Sequence, residues 1–186
     1  MDEDIELTLS TKNGGKMEFQ KVIEERFSVR SFKEQEVPAE VINSILEAGR
    51  IAPTGCNFQP QRITVIKSKE ALEKLKDCTR CHFDAPLVML VSYDDSVCWH
   101  RPYDGAACGP VDASIVTTHM MLKAWELGIG SCWVMHFNPE KIKNAFELSE
   151  TEVPMALLVM GYADESFEPN SKHFESQPIE ALVREV

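Results

Sequence analysis

The chain has 186 residues, of which 19 are Lys or Arg and 30 are Asp or Glu, so its formal net charge is −11 at pH 7. This charge argues against nucleic-acid binding, because affinity for phosphate backbones comes mainly from cationic side chains. The best apolar runs, at 85–91 and 155–160, are far shorter than the ~20 residues of a membrane span. The N-terminus has neither the basic start nor the apolar stretch of a secretory signal. We therefore expect one cytoplasmic domain with no nucleic-acid or membrane partner.

The elements are predicted in chain order from apolar periodicity and from residues that begin or end helices. Residues 1–16 carry four acidic residues and little periodicity, which predicts a flexible N-terminal arm. The domain then occupies 17–162, where Pro38 begins a helix, Pro53 stops it, and Gly128 caps the longest one. Helices are predicted at 18–25, 38–51, 69–77, 111–127 and 139–146, and strands at 62–67, 86–93, 130–135 and 155–162.

Two segments carry more apolar surface than one small domain can easily cover. The helix at 111–127 is apolar on nearly all faces, with Ile115, Met120 and Trp125 around its axis, which indicates a place in the core or in a subunit interface. His119 in this helix is interpreted as a hydrogen-bonded core residue. The C-terminal extension, 163–186, contains Phe167, Phe174, Ile179 and Leu182 but only one short helical pattern, at 179–183. We expect this extension to pack on a partner subunit.

The first candidate binding segment is Arg26-Phe27-Ser28-Val29-Arg30-Ser31, directly after the first predicted helix. In an extended chain, positions 26, 28 and 30 project to one side. Two guanidinium groups and a hydroxyl on one side suit a phosphate, whose oxygens accept bidentate hydrogen bonds. The alternative is that both arginines pair with surface acids such as Glu24 and Glu25.

The second candidate segment is Ala52-Pro53-Thr54-Gly55-Cys56-Asn57-Phe58-Gln59-Pro60, between a helix and a strand. The carboxamides of Asn57 and Gln59 each offer a donor and an acceptor, which matches the edge of a heteroaromatic ring with alternating N–H and C=O groups. The alternative is a turn whose polar groups satisfy only the local backbone.

The third candidate segment is Leu127-Gly128-Ile129-Gly130-Ser131-Cys132-Trp133-Val134-Met135-His136. Its two glycines are expected to allow close approach of the backbone to a flat ligand. It is not a dinucleotide fingerprint, because the G-x-G-x-x-G spacing fails at Trp133, so a Rossmann fold loses support.

A pair of cysteines, Cys78-Thr79-Arg80-Cys81, raises a competing interpretation as a zinc or dithiol protein. His82 is adjacent, but a structural zinc site needs about four ligands and no second Cys-x-x-Cys is present. The sequence therefore predicts no metal site.

Together, the three segments resemble the nitroreductase family of enzymes that bind flavin mononucleotide (FMN), from about Glu18 to the C-terminus. Their order is Arg-x-Ser-x-Arg after the first helix, Ala-Pro-Thr-Gly-x-Asn-x-Gln-Pro after the second, and Leu-Gly-Ile-Gly-Ser-Cys-Trp after the long helix. The resemblance implies an α+β fold: a mixed, mainly antiparallel sheet flanked by helices, in an intertwined homodimer with one flavin in each of two interfacial sites.

The resemblance also implies where the flavin binds. In this chain the implied cofactor-binding positions are Arg26, Phe27, Ser28, Arg30, Pro53, Thr54, Gly55, Asn57, Gln59, Trp133, Val134, Met135, His136 and Lys172, with the loop at 53–59 reaching the flavin of the other subunit. No catalytic side chain is implied, because the flavin carries the chemistry. The chain departs from the usual pattern at Gln61, where Trp often follows Gln-Pro, and at Thr54-Gly55. The loop at 99–105 resembles a subset of the family and is expected either to cover the flavin or to pack its own aromatic side chains.

The function implied is an FMN-dependent oxidoreductase that passes electrons from NADH or NADPH to a small electron-poor acceptor such as a nitroaromatic or a quinone. The alternative is a flavin-binding module without turnover, which acts as a sensor.

Overall fold

The structure, a computed structural model, describes residues 17–186 and contains the predicted elements. The helices are α1 (Phe19–Glu25), α2 (Ala39–Arg50), α3 (Lys69–Lys76), α4 (Gly109–Glu126), α5 (Pro139–Ala145) and α6 (Ile179–Leu182). The strands are β1 (Gln61–Ile66), β2 (Leu87–Asp94), β3 (Gly130–Val134) and β4 (Glu152–Gly161). The predicted arm at 1–16 lies outside the described residues. None of the helices within 17–186 has the length and apolar character needed to cross a bilayer.

The four strands form one sheet in the order β1-β2-β4-β3, and every neighbouring pair is antiparallel. Within the described residues, parallel pairing occurs only as an isolated bridge between Ser28 and Ser131, which adds the segment after α1 to the edge of β3. The predicted α+β fold with a mainly antiparallel sheet is confirmed.

Helices cover both faces of the sheet, which makes three layers. Neighbouring residues of β2 point to opposite faces: Met89 packs with α2 and α4, and Leu90 packs with α3 and α5. Leu158 and Leu157 of β4 divide in the same way. This alternation of side chains along a strand explains why β2 and β4 are apolar almost throughout, although the sheet is antiparallel.

Strand β4 begins three residues before the predicted start, and its first part contains a proline. Pro154 is opposite Ser92 and Ala156 is opposite Val91, so Met155 is an extra residue in a β-bulge. Proline lacks the N–H group that a regular ladder requires, but a bulge leaves one residue unpaired and can accommodate it.

The long helix α4 is both a core element and a surface element. Val116 and Met120 are completely buried, whereas Val111 is 55% exposed. The prediction that His119 is a core residue is wrong. Its side chain is exposed on the same stripe as Val111 and Ile115, and its Nδ1 lies 2.9 Å from the carbonyl oxygen of Ile115. A mostly apolar groove of about 440 Å³ follows this outer face.

Candidate functional site

The segment after α1 runs beside β3 with the predicted alternation of side chains. The N–H of Val29 donates to the carbonyl oxygen of Ser131 over 2.9 Å. Phe27 and Val29 are buried, Arg26 and Ser28 are half-buried, and Arg30 is exposed. The extended backbone therefore places both guanidinium groups and the Ser28 hydroxyl on the accessible side of the segment.

These three polar groups also lie near one point on β3, the thiol of Cys132. Burial raises the pKa of this thiol, while the charge of Arg30, a hydrogen bond with Ser28 and the charge of Arg26 lower it. All three groups thus influence the same thiol on β3.

Ion pairing with nearby acids does not account for the two arginines. In the described part of the chain, neither Arg26 nor Arg30 forms a salt bridge. Glu25 pairs with Lys21, and Glu24 accepts a hydrogen bond from Gln20. The alternative interpretation of the segment as a surface ion-pair cluster is therefore not supported.

The loop after α2 holds its two carboxamide side chains outward in a strained conformation. Gly55–Asn57 forms one turn of 3-10 helix, and Cys56, Asn57 and Gln59 have φ values of 49°, 56° and 52°. The left-handed region costs an L-residue about 1–2 kcal/mol. Asn57 and Gln59 are exposed, and the only side-chain bond of either within residues 17–186 is a 3.5 Å contact from Gln59 Nε2 to the Asn57 carbonyl. Strain of this kind persists at sites where the surrounding structure imposes it.

A buried carboxylate at the start of α4 holds this loop. Asp112, only 1% exposed, accepts the N–H of Gly55 at 2.8 Å and the thiol of Cys108 at 3.4 Å. A second hydrogen bond lies within the loop itself, where the Thr54 hydroxyl accepts the N–H of Gln59 at 3.0 Å. The sequence analysis missed Asp112, which appeared there only as part of a helix that was expected to be apolar.

The structure gives each of the two glycines in the third segment a role in packing. Gly128 has a φ of 75° and ends α4, while Gly130 lies against the segment after α1. A Cβ on Gly130 would lie 2.7 Å from Cγ2 of Val29. Gly128 permits the helix to end, and Gly130 permits the arginine segment to approach β3. Their approach to a flat ligand stays a prediction.

The remaining predicted positions of this segment differ in exposure. Val134 is buried in the core, Trp133 is half-buried, and Met135 and His136 are exposed at the end of β3. The carbonyl oxygen of His136 accepts the hydroxyl of Thr79, so this end of β3 is fixed against the loop after α3. Met135 and His136 are therefore the most accessible of these four side chains, and Trp133 is partly accessible.

The C-terminal extension reaches the arginine segment through aromatic contacts. The ring centroid of Phe27 lies 6.3 Å from that of Phe167 and 6.0 Å from that of His173. Lys172 precedes His173 in the chain, which places it in the same region. Phe27 itself is a core residue, and Phe167 packs against it within the same chain. Several apolar side chains further along remain exposed: Phe174, Ile179, Leu182 and Val183.

Within one chain, the arginine segment and the strained loop lie near opposite ends of α4. The loop is fastened to Asp112 near the start of the helix, and Phe27 packs on Trp125 near its end, with ring centroids 5.0 Å apart. These helix positions are separated by about 20 Å at about 1.5 Å per residue. One chain therefore presents two separate half-sites.

Comparison with known proteins agrees with this arrangement of motifs. The model of the nitroreductase family matches residues 23–95 and 82–162. The chain belongs to the nitroreductase family. A nitroreductase family protein of Clostridium difficile 630, known from its crystal structure, is 40% identical and superimposes with a TM-score of 0.85 over 90% of this chain and 98% of that one.

Two further similar proteins extend the comparison. A protein of Methanothermobacter thermautotrophicus, provisionally named NADH dehydrogenase/NAD(P)H nitroreductase, is 28% identical over 178 residues, 86% of this chain and 88% of that protein. A structure from Exiguobacterium sibiricum, solved in complex with FMN, is 20% identical and shares the fold, with a TM-score of 0.78 over 91% of this chain and 98% of that chain. The resemblance stated from the sequence is confirmed, and with it the assignment as an oxidoreductase.

Proposed function

We propose that this nitroreductase family member binds FMN and passes electrons from NADH or NADPH to a small electron-poor acceptor, such as a nitroaromatic or a quinone. The observation that carries the proposal is the pair of guanidinium groups, Arg26 and Arg30, which lie free of ion pairs in the described structure beside the Ser28 hydroxyl. When bound, FMN supplies the redox chemistry by accepting hydride and releasing electrons to the acceptor.

The residues present fit the phosphate end of FMN. A phosphate monoester carries nearly two negative charges and several acceptor oxygens. Two arginine forks and a hydroxyl supply donors and positive charge in an otherwise acidic chain. Lys172 is positioned by the extension to add a third positive charge. A protein with net charge −11 would otherwise repel a dianion, so this local cluster is the feature that selects the ligand.

The residues present also fit the ring end of FMN. Asn57 and Gln59 are displayed by a backbone conformation that does not satisfy their carboxamides, and both are free to pair with the ring edge. Met135 and His136 are exposed where β3 ends. We assign no side chain to proton transfer, and we infer that the protein acts by fixing the flavin while leaving room for the nicotinamide and then the acceptor.

We further propose that each site is shared between two copies of the chain. The two half-sites are about 20 Å apart along α4 in one chain, and the outer face of α4 is an apolar groove bounded by Pro110, Val111, Ile115 and Met155. Packing two such faces together would bury this groove and bring the arginine segment of one copy to the strained loop of the other. The exposed apolar side chains of the C-terminal extension would be covered in the same assembly.

The cofactor assignment is tested by the visible spectrum and by flavin retention. The purified protein is expected to be yellow and to release FMN on denaturation. Arg26→Ala combined with Arg30→Ala should weaken FMN binding, and the remaining affinity should depend less on salt. Arg50→Ala is the matched control, because Arg50 is exposed and pairs with Glu47 on α2. A protein that cannot be loaded with FMN, or a double variant that binds it normally, would contradict the assignment.

Turnover is tested by mixing the FMN-loaded protein with NADH or NADPH without oxygen. Rapid bleaching of the flavin, followed by recovery of the colour when a quinone is added, is expected of an oxidoreductase. A flavin-binding sensor module would remain yellow under the same conditions.

The shared site is tested by mixing two defective chains. One chain carries Arg26→Ala and Arg30→Ala, and the other carries Asn57→Ala and Gln59→Ala. In a shared dimer, the mixed species has one site with both defects and one intact site, so tight FMN binding should return at half the sites of the mixed dimers. If each site belonged to one chain, every site would keep a defect and nothing would return.

A further inference from the structure

A second group of ligand-type side chains lies in the connection between β2 and α4, apart from the residues assigned to FMN. It consists of Asp95, Cys98 and His100, whose potential ligand atoms all lie within 4.8 Å of one another. The Cys98 sulfur lies 3.7 Å from Asp95 Oδ1 and 3.9 Å from His100 Nε2, and His100 Nε2 lies 3.8 Å from Asp95 Oδ1. The three atoms form a nearly equilateral triangle.

We propose that Asp95, Cys98 and His100 bind a zinc ion. Zinc bonds of about 2.0–2.3 Å to oxygen, nitrogen and sulfur place neighbouring tetrahedral ligands roughly 3.4–3.7 Å apart. The observed separations therefore need to shrink by only a few tenths of an ångström. A thiolate, an imidazole and one carboxylate favour zinc over magnesium or calcium, which prefer oxygen ligands alone.

A backbone hydrogen bond sets the tautomer of His100 that zinc binding requires. The ring must still turn to direct Nε2 at the ion, because the Cys98 sulfur lies 3.8 Å from Nδ1 and 3.9 Å from Nε2. His100 Nδ1 lies 3.1 Å from the carbonyl oxygen of Cys98, a distance at which it donates its proton to that oxygen. This bond selects the tautomer in which Nε2 carries the free lone pair. Metal-binding histidines commonly donate their other N–H to a backbone carbonyl or carboxylate in this way.

Without a metal, the surroundings of the Cys98 thiol favour its protonated form. Cys98 is 6% exposed, and burial raises its pKa. The backbone N–H of Gly109, at the start of α4, lowers that pKa, whereas the carboxylates of Asp95 and Asp112 raise it. Zinc would displace the thiol proton into solvent and replace it as the partner of sulfur.

The outer side of the cluster faces solvent, so an ion can enter. The side chains of His100 and Asp95 are 44% and 50% exposed, and water would supply the fourth ligand of a tetrahedral zinc ion. A bound ion would connect the turn after β2 to the hairpin closed by the bridge between His100 and Ala107. It would fix the loop at 99–105, whose Trp99 lies beside Gly55.

The site is tested with zinc alone on the FMN-loaded protein and on the protein stripped of flavin. Competition with a chromophoric chelator is expected to show one zinc per chain, and cobalt is expected to give a thiolate-to-cobalt absorption band. His100→Asn and Asp95→Asn should each weaken zinc binding at least about tenfold. Both side chains are partly exposed, so these variants should fold.

The matched control is His82→Asn. His82 Nδ1 lies 3.4 Å from Asp84 Oδ1, which makes a histidine–carboxylate pair of similar geometry outside the cluster. Zinc affinity in this variant should equal that of the wild type. Absence of stoichiometric zinc binding, or equal affinity in His100→Asn and the wild type, would overturn the proposal. Failure of the zinc proposal would leave the FMN assignment intact, because zinc binding and FMN binding are measured in separate experiments.

Discussion

Replacing Asp112 tests whether the strained loop at 54–59 is held ready for FMN by the first turn of α4. The carboxylate accepts the Gly55 N–H at 2.8 Å, and no other contact in the described structure joins that N–H to α4. The left-handed residues Cys56, Asn57 and Gln59 cost roughly 3–6 kcal/mol together, so the loop needs an external restraint. We expect the loss of this restraint to appear as weaker FMN binding.

The expected decrease in FMN affinity follows from the type of hydrogen bond that is lost. A bond to a charged acceptor contributes about 1.5–3 kcal/mol, and one to a neutral acceptor about 0.5–1.5 kcal/mol. Asp112→Ala removes the whole contribution and should weaken FMN binding roughly 10- to 100-fold. Asp112→Asn retains a neutral acceptor and should weaken it roughly 5- to 10-fold.

The global stability of the Asp112→Asn variant should not fall together with its FMN affinity. Asp112 is 1% exposed, and its Oδ2 has no hydrogen-bond partner among the described residues. Burial of an incompletely paired carboxylate is costly, so replacement by the neutral amide relieves part of that cost. We expect the free energy of unfolding of Asp112→Asn to equal or exceed that of the wild type while its FMN affinity falls.

The assays are fluorescence titration with FMN and urea denaturation, both on protein stripped of flavin, because bound flavin would itself stabilise the fold. The matched control is Asp104→Asn, an exposed carboxylate that pairs with Arg101 in the nearby hairpin. Unchanged FMN affinity in both Asp112 variants would refute the positioning role. So would a loss of affinity that merely follows an equal loss of global stability.

Three further outcomes are expected from the packing. Gly130→Ala should cost about 1–3 kcal/mol of stability in urea denaturation, because its Cβ would lie 2.7 Å from Val29 Cγ2. Adding Val29→Ala should recover part of that loss, and strict additivity of the two changes would contradict the contact. Phe27→Ala should cost about 3–5 kcal/mol in the same assay, since its ring packs on Trp125, and a loss below about 1 kcal/mol would contradict its assignment to the core. Brief iodoacetamide treatment of the native protein should label Cys56 first, because it is the exposed cysteine; peptide mapping that finds a buried cysteine labelled earlier would show that the packing is wrong.

The order of elements could be predicted because local chemistry defines their ends. Asn138 accepts the N–H of Lys141 and begins α5, and Gly128 adopts the left-handed conformation that ends α4. Apolar periodicity between such residues then separates helices from strands. Pro154 is the exception, because the bulge that accommodates it depends on the register with β2, which no local pattern specifies.

The candidate site was less predictable, since its parts meet only in three dimensions. The spacing of Arg26, Ser28 and Arg30 correctly indicated a common side, because alternation is a local property of extended chain. The anchoring role of Asp112 depends on its contact with Gly55, 57 positions earlier in the chain, which no local pattern indicates. The role of Gly130 likewise required knowledge that Val29 packs on β3.

Asp112 connects the two sites proposed above. Its carboxylate binds the loop assigned to FMN through Gly55 and also acts on the thiol of Cys98, which is assigned to zinc. Zinc would add positive charge in a region where the charge of this carboxylate already influences the Cys98 thiol. Coupling between two binding equilibria is reciprocal, so any change that zinc makes in FMN affinity must equal the change that FMN makes in zinc affinity. Asp112 is therefore the residue through which we expect a zinc ion at Cys98 to change FMN affinity.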